Sequence, residues 1–227
     1  MSNTASDADG LNEFITELNK NLKELTDMAQ VLGQDCHDQY LSIQSNDSQM
    51  YRRGYVRSVF AFIEGILFRM KRTAAHLGWP LENITIAERL ILDERTYEID
   101  ERGEVVDRPV FIKFLNNVKF SFKIYSKSIG STFELSLGGS GWQKLRESAK
   151  VRDRLMHPKA STELAITDVE VEAAKTAFDW FFLNYALCST YAERATHTKT
   201  SSSSQEKLDA LNARIQELEL ELNNRGG

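Results

Sequence analysis

The scarcity of helix-breaking residues is the feature that most constrains the fold of this chain. It has three prolines, Pro80, Pro109 and Pro158, and 12 glycines among 227 residues. Proline and glycine are the residues that most disfavour the interior of a helix. Hydrophobic residues make up 41% of the chain and charged residues 27%, as is typical of a folded, water-soluble protein. We therefore predict a mainly α-helical protein with one substantial core.

Hydrophobic spacing predicts where the helices lie. Apolar residues recur every three or four positions in residues 11–43, 48–76, 110–128, 140–156 and 167–194, and 84–92 form a shorter candidate. Gly33 is a possible stop within the first helix. Either Asp47 or Ser48 can cap the second helix, which Gly78 and Pro80 close.

Two capping boxes and a proline set the later boundaries. Ser140 with Gln143, and Thr167 with Glu170, have the spacing of a capping box at a helix start. The helix from 140 ends near Met156, because Pro158 disfavours the helical conformation at the residue before it. Residues 130–141 are predicted to form a loop.

Three further segments complete the predicted organisation. Residues 96–107 form two short β-like runs around a glycine-containing turn, so we expect a small hairpin. Residues 196–204 are polar and of low complexity, as in a flexible linker. Residues 205–224 carry a coiled-coil seam formed by Leu208, Leu211, Ile215, Leu218 and Leu222. The predicted fold is thus a helical domain over 1–195, a bundle of four to five long helices with a β-hairpin insertion, followed by the linker and a detached coiled-coil helix.

The composition also favours a cytoplasmic protein. Residues 1–10 are acidic and polar, whereas a signal peptide is basic and then apolar. Cys36 and Cys188 are too few for a disulfide scaffold. No apolar run reaches the roughly 18 residues of a membrane span, so we expect no association with membranes.

The segment 150–158 has the most informative chemistry. It places a permanent cation, Arg152, and a titratable imidazole, His157, near a helix end. Five helical residues turn by about 140°, so the two side chains share a face only if the helix breaks at His157. Asp153, four residues before His157, is placed to accept a hydrogen bond from a ring nitrogen. The alternative is a basic helix terminus, which the helix dipole favours by about 0.3–1 kcal/mol.

Arg152, Asp153 and His157 match the form Arg-[Asn/Asp/His]-x-x-x-His of the signature of the HEPN superfamily (higher eukaryotes and prokaryotes nucleotide-binding domains), which the chain therefore resembles. The resemblance covers roughly residues 8–195. Many members of that family are metal-independent ribonucleases, often toxins or antiphage effectors, and they dimerise so that two such motifs line one cleft. Other members have lost activity and serve as partner- or nucleotide-binding modules.

The resemblance implies a metal-independent endoribonuclease that binds RNA and acts as a homodimer or a higher homo-oligomer, without a metal or cofactor. Arg152 would stabilise phosphate charge, His157 would act as general acid or base, and Asp153 would orient His157 or shape the cleft. An antitoxin or another partner protein is possible. The alternative is a catalytically inactive module that dimerises and recruits a partner through its coiled coil.

A polar line on the second helix supplies further candidate residues. At 100° per residue, the side chains of Arg53, Arg57, Glu64 and Lys71 fall within about 40° of one another. The resemblance points to a polar residue on an earlier helix that faces the motif, so Glu64 and Arg57 are candidates for a supporting or RNA-binding role. The alternative is a flank of solvated charges.

Two more cations flank the motif, and two other patterns are set aside. Lys150 and Arg154 complete the candidate RNA-binding residues. Residues 35–38 have metal-binding residue types, but no second Cys/His pair lies at ligand spacing. Residues 138–141 are glycine-rich but lack the lysine of a phosphate-binding loop.

The charge distribution is compatible with RNA as a partner. The formal net charge of −5 conceals three basic segments, with +5 over residues 51–72, +4 over 113–127 and +4 over 141–160. If these helices converge, they form a cationic cleft for a phosphate backbone. The acidic remainder of the chain would discourage indiscriminate coating of nucleic acid.

Overall fold

The computed structural model describes residues 4–78, 83–199 and 205–226, with side chains over 16–77, 83–195 and 209–225. The helices in these ranges are α1 (Thr4–Ser45), α2 (Gln49–Gly78), α3 (Ile86–Leu92), α4 (Phe114–Ile129), α5 (Gly139–Met156), α6 (Asp168–Lys199) and α7 (Gln205–Gly226). Strands β1 (Arg95–Ile99) and β2 (Val105–Pro109) form an antiparallel hairpin, and Ser161–Leu164 form a 3-10 turn. The predicted mainly α fold with a small hairpin is confirmed.

Helix α2 is the centre of the bundle, where it packs against α1, α4, α5 and α6. One apolar face of this helix is buried, and it consists of Tyr55, Val59, Phe60, Ile63, Ile66, Leu67 and Met70. Helix α6 packs against α2 in this core. The Phe181 ring of α6 lies 6.0 Å from that of Phe62 on α2 and 5.6 Å from that of Phe122 on α4. The aromatic contacts thus hold α2, α4 and α6 around one core.

Close packing fixes α5 on α6. The rings of Trp142 and Trp180 lie 5.6 Å apart. A Cβ atom built on Gly141 would lie 2.6 Å from Cβ of Trp180, well inside van der Waals contact. Only glycine allows this approach of the two helices, so the start of α5 is set against α6.

The helix starts match two of the three predicted caps. The Tyr51 N–H donates to Oγ of Ser48 at 3.4 Å, while Thr167 and Glu170 form the predicted reciprocal capping box. The predicted box of Ser140 and Gln143 is wrong. Helix α5 begins one residue earlier, after Gly138 and without a side-chain cap.

Two helices are longer than predicted. Helix α1 passes through Gly33 without a break and ends at Ser45. Helix α6 continues to Lys199, so residues 196–199 of the predicted linker are helical. Residues 200–204 of that linker lie outside the described ranges.

The hairpin was predicted correctly, but the helix that follows it was placed too early. Asp100 accepts the N–H groups of Arg102 and Glu104, both at 2.9 Å, in a turn completed by Gly103 with φ of +78°. The helix predicted over 110–128 is wrong for residues 110–113, which are neither helix nor strand, and α4 starts at Phe114. The Val110 N–H donates to the Glu94 carbonyl at 2.8 Å, which ties the start of this segment to the residue before β1.

Helix α7 is docked on the bundle, whereas the sequence predicted a detached helix. It packs against α6 and α5, and the seam residues Ile215, Leu218 and Leu222 are buried. The Tyr191 hydroxyl donates to Glu219 at 2.9 Å across this interface. The predicted coiled-coil seam therefore meets α6 of the same chain. No helix in the described ranges has the length and apolar character needed to cross a membrane.

Candidate functional site

Helix α5 ends where Pro158 predicts that it should. The helix ends at Met156, and His157 has φ of −133° and ψ of 57°, outside the helical region. Its N–H donates to the Asp153 carbonyl at 3.1 Å, and its side chain is exposed. The predicted helix break at His157 is thus present, and the imidazole is accessible to solvent.

Arg152 is held by two carboxylates and two aromatic rings. Its Nη2 pairs with Oε1 of Glu64 on α2, and its Nη1 lies 3.0 Å from Oδ1 of Asp153. The guanidinium carbon lies 5.9 Å from the ring centroid of Phe60 and 6.0 Å from that of Phe114, within the range of cation–π attraction. These contacts fix the guanidinium in one place, and they bring Glu64 against the motif.

Asp153 contacts Arg152 and not the His157 ring. Across the part of the chain that the structure describes, the His157 ring nitrogens make no hydrogen bond. The Asp153 carboxylate therefore helps to hold the guanidinium, while its backbone carbonyl caps the helix end. The side-chain hydrogen bond expected between Asp153 and His157 is absent from this arrangement.

The other predicted cations have different surroundings. Arg57 and Lys150 are exposed. Arg154 points away from Glu64 to the start of α6, where it donates to the Ala165 carbonyl at 3.0 Å and pairs with Glu170 at 3.0 Å. Burial of Glu170 opposes its ionisation, but the capping N–H of Thr167 and the Arg154 ion pair outweigh this, so the pKa of Glu170 is lowered. Arg154 thus secures the fold at this point.

The segment after His157 is anchored at its far end by α2. The side-chain amide of Gln49 donates to the Ile166 carbonyl at 2.9 Å and accepts the Ile166 N–H at 2.7 Å. Arg52 donates to the same carbonyl at 2.9 Å and pairs with Asp47 and Asp168. Both ends of the segment 157–167 are therefore tied to helices of the bundle.

A cleft of about 300 Å³ lies beside Arg152. Its lining includes Glu64, Phe68, Lys71, Glu94 and Phe111. Lys71 is only 4% exposed, and its ammonium pairs with the Glu94 carboxylate. Glu94 has φ of +53°, a left-handed conformation that costs a non-glycine residue about 1–2 kcal/mol. The cleft thus combines aromatic walls with cations and carboxylates.

Sequence reasoning missed most of this cleft. Lys71 was on the predicted polar line, seven residues after Glu64, so its spacing was a usable signal. Phe111 was assigned to a helix because its spacing fits one, yet it is 91% exposed in the segment 110–113, which is neither helix nor strand. Glu94 had no signal in the sequence, since its role depends on its backbone conformation.

No group of three or more His, Cys, Asp and Glu side chains suited to a metal ion occurs in the described residues. A comparison with known proteins finds no matching family model, no similar curated protein and no similar solved structure.

Proposed function

We propose that this chain is a metal-independent endoribonuclease of the HEPN type that acts in the cytoplasm as a homodimer, as a toxin or phage-defence effector does. The observation that carries the proposal is the arrangement at the end of α5. Arg152 is fixed by Glu64 at the edge of a cleft, and His157 is exposed where the same helix breaks. These are the residue types that RNA cleavage needs.

The proposed reaction uses the 2′-OH of the RNA as its nucleophile. A base removes the 2′-OH proton, and the oxygen attacks phosphorus. The bond from phosphorus to the 5′-oxygen then breaks, and an acid protonates that oxygen. The products are a 2′,3′-cyclic phosphate and a 5′-OH. Cations near phosphorus stabilise the charge that develops in the transition state.

Dimerisation supplies the complete set of groups. One chain contributes one His157 and one Arg152 through the motif. Two chains related by a two-fold axis contribute one neutral imidazole as base, one protonated imidazole as acid and two guanidinium groups. No metal is needed for this chemistry.

The two carboxylates at Arg152 are compatible with phosphate binding. Glu64 uses Nη2 and Asp153 uses Nη1, whereas a guanidinium has five N–H donors. Donors therefore remain for a phosphate oxygen. We assign Glu64 and Asp153 the role of positioning the guanidinium, and His157 the role of proton transfer.

The test is cleavage of single-stranded RNA in the presence of a chelator. We expect the unmodified protein to produce 2′,3′-cyclic phosphate ends, and His157→Ala to lower the rate about 100-fold or more. Arg152→Ala should lower it about 100-fold. His37→Ala and Arg214→Ala, which change an exposed histidine on α1 and an exposed arginine on α7, are matched controls that should cleave normally. Cleavage by His157→Ala at the normal rate would refute the proposal.

A mixing experiment tests the composite site. Unmodified protein is mixed with increasing His157→Ala protein at a constant total concentration. If both imidazoles of a dimer are required, activity falls with the square of the unmodified fraction. A linear fall would assign activity to single chains.

A catalytically inactive HEPN-like binding module is the second candidate function. It is favoured by the pairing of Arg152 with two carboxylates, which neutralises the cation in the free chain. In that case the unmodified protein cleaves no RNA, and Arg152→Ala leaves self-association unchanged. Recruitment of a partner by α7 would need its exposed face, because its apolar seam is buried against α6.

A further inference from the structure

The cleft beside Arg152 continues into a second cavity along α2. The second cavity, about 360 Å³, is lined by Arg72, Arg95 and Tyr97 among others. The two cavities share Phe68, Lys71 and Glu94 as lining residues. Together they form one groove between α2 and the β-hairpin, which we call the hairpin groove, and it begins at Arg152.

Three exposed aromatic side chains line the hairpin groove. Phe111 is 91% exposed, Phe68 is 53% exposed and Tyr97 is 51% exposed. Large aromatic rings are usually buried because their removal from water stabilises the fold. A contiguous set of exposed apolar side chains marks an interaction surface. Their flat faces are suited to stacking against another planar group.

Cations line the groove together with these rings. Arg152 lines the first cavity, Arg72 and Arg95 line the second, and the buried Lys71, which pairs with Glu94, lines both. Glu64 of α2 pairs with Arg152. It precedes Lys71 by seven residues, which is about 10 Å along a helix. The combination of stacking surfaces and spaced cations is that of a site for unpaired nucleic acid.

We infer that the hairpin groove binds a single-stranded RNA segment next to the phosphate held at Arg152. Unpaired bases stack on Phe111 and Phe68, and the sugar–phosphate chain runs past the exposed Arg72. A duplex does not fit this mode, because its base faces are already stacked on one another. The placement of the phosphate at Arg152 rests on the proposed function, whereas the stacking surface does not.

The carboxylates in the groove determine which contacts provide affinity. Lys71 pairs with Glu94, Arg152 with Glu64, and Arg95 with Asp107 at 2.9 Å. With Asp93, which also lines the second cavity, these carboxylates equal the cations of the groove in number. Stacking therefore contributes more to affinity than the phosphate contacts do, and the salt dependence of binding should be shallow.

The test uses fluorescence anisotropy with a fluorescein-labelled 2′-O-methyl RNA of mixed sequence and about 12 nucleotides, which 2′-OH attack cannot cleave. We expect Phe111→Ala to weaken binding about 5- to 100-fold. Phe111→Trp, which keeps a stacking face, should bind like the unmodified protein. Phe182→Ala, which removes a half-exposed phenylalanine of α6, is the matched control and should bind normally. The same sequence as a duplex should bind more weakly.

The outcomes separate the groove from the ribonuclease proposal. Equal binding by the unmodified protein and Phe111→Ala would overturn the inference. So would a loss of self-association in Phe111→Ala without a change in RNA binding, which would assign the patch to a second copy of the chain. Aromatic-dependent binding by a protein that cleaves no RNA would support the groove and refute the ribonuclease. Normal cleavage and normal RNA binding by Phe111→Ala would support the ribonuclease and refute the groove.

Discussion

Replacing Leu218 by alanine tests whether α7 is an integral part of the bundle. Leu218 is 2% exposed, whereas Leu220, two residues later on the same helix, is 62% exposed. The two Leu→Ala changes are identical in chemistry and in intrinsic helix propensity. Any difference between them therefore reports the burial of α7 against α6 and α5.

The expected magnitude follows from what the substitution removes. Leu218→Ala deletes three buried carbon groups, which at about 0.8 kcal/mol each amount to about 2.4 kcal/mol. The cavity that remains extends the range to about 2–5 kcal/mol. In a chain of this size the thermal midpoint should fall by about 5–15 °C. Leu220→Ala should change the free energy of unfolding by about 0.5 kcal/mol or less.

Urea denaturation followed by far-UV circular dichroism and tryptophan fluorescence measures this difference. Trp180 is a suitable reporter because it lines the same small cavity as Leu222 of α7. Equal midpoints for Leu218→Ala and Leu220→Ala would refute the docking of α7. If the seam instead joined two chains, Leu218→Ala would lower the sedimentation coefficient of the protein, which we do not expect.

Three further predictions concern packing, thiol chemistry and acid stability. Gly141→Ala should destabilise the fold by about 1–3 kcal/mol in urea denaturation, because the new methyl group meets Trp180; no change would contradict the close approach of α5. Burial raises the pKa of Cys36 and of Cys188 to about 12, so a thiol reagent at pH 8 should modify neither residue in the native protein and both after denaturation. Because the pKa of Glu170 is lowered by folding, its contribution to stability is present above about pH 4.5 and is lost as the pH falls further. Glu170→Gln should therefore flatten the acid branch of the stability curve, and an unchanged slope would show that the ion pair has no such role.

The sequence was sufficient for the fold class and for part of the site. Helical spacing located α2. The polar line on that helix and the family resemblance together named Glu64 and Arg57 as candidates, of which Glu64 pairs with Arg152 and Arg57 is exposed. Pro158 correctly placed the break at His157. These signals are local, because each depends on the backbone geometry of one helix.

Features that depend on two elements were predicted less well. A heptad seam does not specify which surface it meets, so α7 was expected to be detached although α6 covers it. The spacing of Phe111 is compatible with a helix, but the Val110 N–H bonds to the Glu94 carbonyl beside the hairpin, and the helix begins only at Phe114. Ser140 is of a residue type that caps helices, but α5 begins before it.

The anchoring of Ile166 by Gln49 has a consequence for where this chain can accept an insertion. The amide of Gln49 binds the backbone of residue 166, so the contact does not depend on the side chain at that position. Between His157 and this anchor, residues 158–162 are exposed. Exposed loop tips of this kind are where chains accept insertions most readily. Residues 158–162 are therefore a site where a peptide tag or an inserted domain can be placed close to the motif while the helices keep their positions.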